Sequence, residues 1–144
     1  MAYKLNGKIL KEGVAFRDSN GTQYPSKWLA NSTPSSRAAA GITEIADYDE
    51  RFYSAPDTPK PIADLKSDWT QTQKNTARKL LTDTDWMVIR EKEGGSAVPS
   101  NITTHRTAIR TKCKAREDQI AACADTDALA KLIKDDALEA WPTL

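Results

Sequence analysis

The sequence contains few of the residues from which chemical sites are built. Among 144 residues there is one histidine, His105, and there are two cysteines, Cys113 and Cys123. A nucleophilic site needs a nucleophile, a base and an orienting group within hydrogen-bonding reach of one another. Cys113 follows His105 by eight residues, which on a helix is roughly 12 Å and too far for direct activation of a thiol. We therefore expect no catalytic residue, and an enzyme of unknown type stays only as an outside alternative.

The sequence also lacks the residue patterns of metal and phosphate sites. One histidine and two separated cysteines do not have the spacing of zinc ligands. Paired carboxylates such as Asp125 and Asp127 could bind a hard cation, but helix capping explains them more simply. Gly94-Gly95 follows a predicted helix instead of a strand, and no Lys-Ser/Thr pair is near it, so it is not a phosphate loop. We expect no metal site and no cofactor.

Long apolar runs and an excess of one charge are also missing. No segment approaches the ~20 apolar residues of a membrane span, and the first residues do not resemble a signal peptide. The formal net charge is +1, without the basic excess of a generic nucleic-acid binder. If Cys113 and Cys123 share a helix they lie roughly 15 Å apart, beyond the reach of a disulfide. These features predict a protein that folds in a cytosol.

The first 55 residues alternate short extended runs with turns. Asn6-Gly7 separates two such runs, and Asp18-Ser19-Asn20-Gly21 separates two more. Asn-Gly is a strong hairpin signal because both residues tolerate positive φ. Two small hairpins or a three-stranded meander would result, and such a sheet is barely stable without a cover. Trp28 and Leu29, in a predicted helical turn, would supply that cover.

A short helix and a proline-rich joint follow. Pro34 near the start and Gly41 just past the end predict a helix between them. Ile42–Ile45 and Arg51–Tyr53 are then expected to be extended. Three prolines within residues 55–61 cannot continue a helix or a central strand. We therefore predict an α+β fold with a small antiparallel β-rich N-terminal module with short helices (1–55), a joint (56–62) and a C-terminal helical hairpin or bundle (63–144).

The apolar spacing after the joint predicts four helices. They are expected at about residues 63–82, 84–93 and 100–123, with the fourth beginning near Thr126. Asp83 or Asp85 would cap the second helix, and Gly94-Gly95 would end it because glycine enters the left-handed conformation without strain. The expected apolar residues are Trp69, Leu80 and Leu81 in the first, Ile102, Ile109, Cys113, Ile120 and Cys123 in the third, and Leu129, Leu132, Ile133 and Leu138 in the fourth.

The ends of the last two helices have their own signals. Pro99 and Ser100 would open the third helix, since proline suits the first helical turn. Asp125 or Asp127 would cap the fourth. Trp141-Pro142 would stop it, because proline cannot continue a helix.

Residues 69–110 contain the most specific motif of the chain, centred on a tryptophan. Its elements are Trp69, Gln73, the run Asp85-Trp86-Met87-Val88-Ile89-Arg90, Glu93, Val98-Pro99, Arg106 and Ala108-Ile109-Arg110. With these residues the stretch resembles the phage tail assembly chaperone family. The N-terminal part is similar to uncharacterised marine-phage tail proteins in its pattern Tyr24-Pro25, Trp28-Leu29, Gly41–Glu44, Tyr48-Asp49 and Arg51–Tyr53.

The resemblance implies a non-enzymatic bacteriophage protein that binds a tail or tail-fibre protein and assists assembly. The alternative is a permanent structural component of the virion tail or fibre. The first would act in the host cytoplasm, and the second would stay in the virion tail. Self-association is a further option, whereas membranes and nucleic acid are not expected partners.

The expected partner-binding surface lies on the helices of the motif. Its residues are Trp86, Ile89, Arg90, Arg106, Ile109, Arg110 and Trp141. Among the tryptophans, Trp86 is expected in the core and Trp141 at an exposed contact, since tryptophan serves both places. Arg106, Arg110 and Lys114 recur every four residues and share a helical face. That face is expected to be solvated or to dock a protein, and gripping a phosphate backbone is the alternative.

Overall fold

Small antiparallel sheets precede a set of helices along the chain, so the α+β class is confirmed. The computed structural model describes residues 1–144 and divides into two compact units, Met1–Pro59 and Lys60–Leu144. Their boundary lies within the predicted joint. The first unit contains β1 (Ala2–Leu5), β2 (Lys8–Leu10), β3 (Phe16–Arg17), β4 (Gln23–Tyr24), α1 (Trp28–Asn31), α2 (Pro34–Ala39), β5 (Ile42–Ile45), β6 (Tyr53–Ala55) and β7 (Thr58–Pro59). The second contains α3 (Ile62–Lys92), α4 (Ser100–Ala121) and α5 (Thr126–Lys134).

The predicted hairpins of the first unit are present. β1 and β2 pair across Asn6 and Gly7, whose φ angles are 49° and 82°. β3 and β4 pair across a turn in which the Asp18 carboxylate accepts hydrogen bonds from the backbone N–H groups of Asn20 and Thr22, both at 2.9 Å. β5 pairs with the free edge of β1 and completes a three-stranded sheet in the order β2-β1-β5. The joint itself is partly ordered as the hairpin of β6 and β7.

A small apolar core fills the first unit. Tyr3, Leu5, Leu29 and Ile42 are buried together, with Leu10, Phe16, Trp28 and Ala40 packed against them. Trp28 and Leu29 therefore cover the sheet as predicted. α2 begins at Pro34 with Thr33 as its cap, and Gly41 follows its end at a φ of 76°, which confirms the helix placed there.

α3 is one continuous helix of 31 residues, so the predicted break at residue 83 is wrong, and neither Asp83 nor Asp85 is a cap. The interval holds no proline or glycine, and its threonines lower helix propensity by only about 0.5 kcal/mol each. Their hydroxyls are also satisfied inside the helix. Thr82 donates to the Arg78 carbonyl at 2.9 Å, and Thr84 donates to the Leu81 carbonyl at 3.2 Å.

The end of α3 is the predicted glycine pair. Gly94 has a φ of 85°. Its N–H donates to the Glu91 carbonyl at 3.1 Å, and the Gly95 N–H donates to the Arg90 carbonyl at 2.8 Å. This is the paired hydrogen-bond pattern of a Schellman motif. After it, α4 begins at Ser100 behind Pro99, also as predicted.

α5 has its predicted start but an earlier end. The Asp125 carboxylate accepts from the Ala128 N–H at 2.8 Å and caps the helix. The helix ends at Lys134, so the prediction that it continues to Trp141-Pro142 is wrong. Asp136 has a φ of 50°, and the N–H groups of Asp136 and Ala137 donate to the carbonyls of Ile133 and Leu132, which is the hydrogen-bond pattern of a Schellman motif. After this turn, the Gln119 amide of α4 donates to the Ala137 carbonyl at 3.0 Å and accepts from the Glu139 N–H at 2.8 Å. The Gln119 bonds hold the segment that follows the turn against α4.

The second unit has its core between the two long helices. Ala77, Ile109 and Cys113 are buried together, and Leu80, Leu81 and Trp141 pack against them. Further buried apolar side chains are Leu65, Ile102, Ile120 and Leu129. The apolar line predicted for α4 is therefore confirmed, apart from Cys123, which is half-buried. No helix combines the length and apolar character that crossing a membrane requires.

Candidate partner-binding surface

Two large apolar side chains are exposed one turn apart near the end of α3. Trp86 is 53% exposed and Ile89 is 57% exposed. With Arg90, Glu93 and Gly95 they line a shallow depression of about 340 Å³. We call the three residues Trp86, Ile89 and Arg90 the apolar patch.

Arg90 fixes the indole of the patch. Its guanidinium carbon lies 4.9 Å from the centre of the Trp86 ring, a cation–π contact. Gly95 packs directly on the stem of Arg90, since a Cβ at that position would lie 2.6 Å from the Arg90 Cγ. The Arg90 Nε is buried without a hydrogen-bond partner. The Schellman turn therefore restricts the Arg90 side chain, and the cation–π contact with Arg90 orients the Trp86 ring.

The two tryptophan placements are the reverse of those expected. Trp86, predicted in the core, is exposed, because it lies on the side of α3 away from α4. Trp141, predicted at an exposed contact, is half-buried against Ala77, Ile109 and Cys113. Its ring lies 4.9 Å from the guanidinium carbon of Arg116. The hydrogen bonds of Gln119 with Ala137 and Glu139 hold the C-terminal segment against α4, and this half-buries the Trp141 ring.

Two more predicted contact residues are internal. Ile109 is fully buried in the helical core, at 0% exposure. Arg106 is 7% exposed, and its Nη2 pairs with the Asp85 carboxylate at 2.8 Å. Its Nη1 donates to the Thr84 hydroxyl at 2.6 Å and to the Leu81 carbonyl at 2.9 Å. A buried charge needs such partners. Both side chains are therefore buried between α4 and α3 and are not exposed on the surface of this chain.

Arg110 is exposed and borders a groove between α3 and α4. The groove has a volume of about 430 Å³. Its floor is formed by Ala77, Leu81 and Cys113. Its lining also includes Lys74, Arg78, Asp85, Arg106, Arg110, Lys114 and Glu117. We call this feature the basic groove. Of the predicted residues, the structure thus brings Trp86, Ile89 and Arg90 together and places Arg110 on a separate feature.

The thiol in the groove is not an activated nucleophile. Burial, a hydrogen bond to Glu117 at 3.2 Å and the charge of that carboxylate raise the pKa of Cys113 to about 11. Burial also raises the pKa of Cys123. The thiolate is the reactive form, and burial disfavours it at both cysteines. His105 is half-buried, and no group of three or more His, Cys, Asp or Glu side chains is arranged to hold a metal ion.

Lys74 and Arg78 are surface residues that sequence reasoning missed. They stand four residues apart on α3, as Arg110 and Lys114 do on α4, so a helical wheel places each pair on one face. What the wheel does not show is that the two faces flank the same groove. That juxtaposition depends on how the helices pair.

Comparison of the chain with protein-family models, with curated proteins and with solved structures gave no match. The resemblance of residues 69–110 to phage tail assembly chaperones therefore stays a prediction.

Proposed function

We propose that this chain is a non-enzymatic, assembly-chaperone-like protein that binds a bacteriophage tail or tail-fibre protein through the apolar patch. The observation that carries the proposal is the exposure of Trp86 and Ile89, each more than half open to solvent and one helical turn apart. Both belong to the stretch that resembles the tail assembly chaperones.

The patch has the properties of a binding anchor. Covering the open half of a tryptophan ring removes on the order of 100 Å² from water, which contributes about 2.5 kcal/mol. Arg90 already orders the ring, so less side-chain entropy is lost on binding. Tryptophan and arginine are also the residue types most enriched in interface hot spots.

The mechanism is surface shielding. A tail protein that has not yet oligomerised exposes apolar surface or strand edges that would otherwise aggregate. The end of α3 would lie against such a surface, with Trp86 and Ile89 as its anchors, in the manner of an amphipathic helix in a groove. The host cytoplasm is where this binding would take place.

The test is direct binding to the tail and tail-fibre proteins encoded in the same phage genome. The wild-type chain, the double variant W86A/I89A and the control V14A are compared. Val14 is 54% exposed and lies in the first unit, so V14A truncates an exposed apolar side chain outside the patch. We expect the double variant to lose at least about tenfold in affinity, or 1.4 kcal/mol, with unchanged circular dichroism, and V14A to bind normally.

Equal affinity of all three proteins would contradict the proposal, as would no binding of the wild-type chain. Mass spectrometry of purified particles separates the assembly role from the alternative of a permanent tail component. We expect essentially no copies in the particle. Stoichiometric copies would favour the structural alternative.

A further inference from the structure

The charges along the basic groove are unbalanced. Five cationic side chains line it, from Lys74, Arg78, Arg106, Arg110 and Lys114, against two carboxylates, from Asp85 and Glu117. The chain as a whole is nearly neutral, at a formal net charge of +1. The excess is therefore a local property of this face of the two helices.

Three of the five cations have no carboxylate partner. Arg106 is paired with Asp85, and Lys114 is paired with Asp118. Lys74, Arg78 and Arg110 are exposed and form no ion pair. Of the two carboxylates, Asp85 is taken by Arg106, and Glu117 accepts from the Cys113 thiol. The groove thus presents three unpaired positive charges against the one unpaired carboxylate of Glu117, whose charge the neutral thiol does not cancel.

The floor between these charges is apolar. Ala77 and Cys113 are buried and small, and Leu81 is half-buried beside them. Small side chains leave room for an inserted group, and a volume of about 430 Å³ lies within the range of binding pockets. A purely ionic ligand would not use this floor. A single-stranded nucleic acid would also use aromatic side chains for stacking, and none lines the groove.

We propose that the basic groove binds a short acidic segment of a partner protein, in which Asp or Glu residues flank one or two apolar side chains. From Lys74 to Asp85 the groove runs roughly 16 Å along α3. That length matches about five extended residues or about three turns of a helix. The carboxylates pair with Lys74, Arg78 and Arg110, and the apolar side chain rests on Ala77 and Leu81.

This inference rests on the proposed function in one respect: the acidic segment is taken to belong to the tail or tail-fibre protein. The groove and the apolar patch share no residue, so each can fail alone. Loss of groove binding with intact patch binding would leave the proposed function standing, and the reverse result would leave the groove standing.

The probe is a fluorescein-labelled peptide of about ten residues in which glutamates flank two leucines, titrated with the full chain. The test variant is R78E/R110E. The matched control is K79E/K11E, which changes the net charge by the same amount at two exposed positions outside the groove. We expect R78E/R110E to weaken binding at least about tenfold and the control less than about threefold. Wild-type affinity should fall steeply with added salt, because exposed charges are screened.

Thermal melts of both variants check that they remain folded, which is expected because all four positions are exposed. Equal losses in the two variants would overturn the proposal, since only net charge would then matter. A peptide with the leucines replaced by serine that binds as tightly would remove the role of the floor and overturn it as well. An oligonucleotide of equal charge that binds more tightly would assign the groove to nucleic acid instead.

Discussion

Two arginines are nearly enclosed, one in each unit. Each guanidinium pairs with one carboxylate and donates to a backbone carbonyl. Arg37 pairs with Glu44, donates to the Ser32 carbonyl and lies 5.0 Å from the centre of the Tyr3 ring. Arg106 pairs with Asp85 and donates to a hydroxyl and a carbonyl of α3. A planar guanidinium with five donors can meet several acceptors at once. Two of the eight arginines of this chain are therefore packing residues and not surface charges.

Cys113 gives a prediction about pH at the scale of one residue. Its pKa is raised to about 11 from an ordinary value of 9.0. Between those values the unfolded chain loses the proton while the folded chain keeps it, so the free energy of unfolding falls as pH rises. At about pH 10.5 the loss from this group should be about 2 kcal/mol.

Urea denaturation at about pH 8 and about pH 10.5 measures this effect when wild type is compared with C113A. Lysines and tyrosines titrate in both proteins, so their contribution cancels in the difference. We expect wild type to lose about 2 kcal/mol more than C113A over this interval. An equal loss in both proteins would show that Cys113 titrates as it does in the unfolded chain.

The glycine pair that ends α3 gives a prediction at the scale of one element. Gly94 has a φ of 85°, and a Cβ there costs roughly 1–2 kcal/mol. We expect G94A to destabilise the chain by about that amount and G94N by less, because asparagine tolerates the left-handed region. Hydrogen exchange of the last turn of α3 should quicken in G94A.

The control for this prediction is Q71A, an alanine substitution at an exposed position of α3. It should change stability by less than about 0.5 kcal/mol. A G94A variant as stable as Q71A, with unchanged exchange in residues 89–93, would mean that the Schellman turn does not fix the helix end.

Elements with a local cause could be predicted from the sequence. The turn at Asn6-Gly7, the cap at Asp125 and the end at Gly94-Gly95 each depend on a few adjacent residues. The single α3 also has a local cause, since residues 82–85 contain no proline or glycine, and the predicted break gave too much weight to Asp83 and Asp85 as caps. The early end of α5 is not predicted because Asp136, and not a glycine, takes the left-handed position of its terminal turn.

The candidate partner-binding surface also combines residues placed by local spacing with residues whose burial depends on helix pairing. The spacing of Trp86, Ile89 and Arg90 puts them on one side of a helix, which is a local property, but Trp86 was also expected in the core, and its exposure contradicts that. Arg106 and Ile109 have spacing equally suited to a surface, and only the pairing of α4 with α3 decides that they are buried. The basic groove needs two helices to exist, so neither helix alone predicts it.

At the scale of the whole molecule, the two units differ in what holds them together. The first has strands of two to four residues, a core cluster of four buried apolar side chains, and Phe52 buried apart from that cluster. Small sheets of this kind are barely stable. The second has helices of 31 and 22 residues packed around a core that includes Ile109. Regions with few buried apolar contacts open at lower free energy.

We therefore predict two separate opening free energies in native-state hydrogen exchange followed by mass spectrometry. Amides of β1, β2 and β5 should exchange at least about tenfold faster than those of the middle of α3 and α4, a difference of 1.4 kcal/mol or more. A single common rate in all these segments would mean that the chain opens as one unit.

Two alanine substitutions in the cores test further whether the two units open separately. Leu29 is 1% exposed and lies in the first core, and Ile109 is fully buried in the second. Either change to alanine should cost about 2–5 kcal/mol. If each core supports its own unit, L29A should accelerate exchange only in β1, β2 and β5, and I109A should accelerate exchange only in α3 and α4. Acceleration throughout the chain by either variant would show that one unit needs the other in order to stay folded. The division at Pro59 would then describe geometry and not cooperativity.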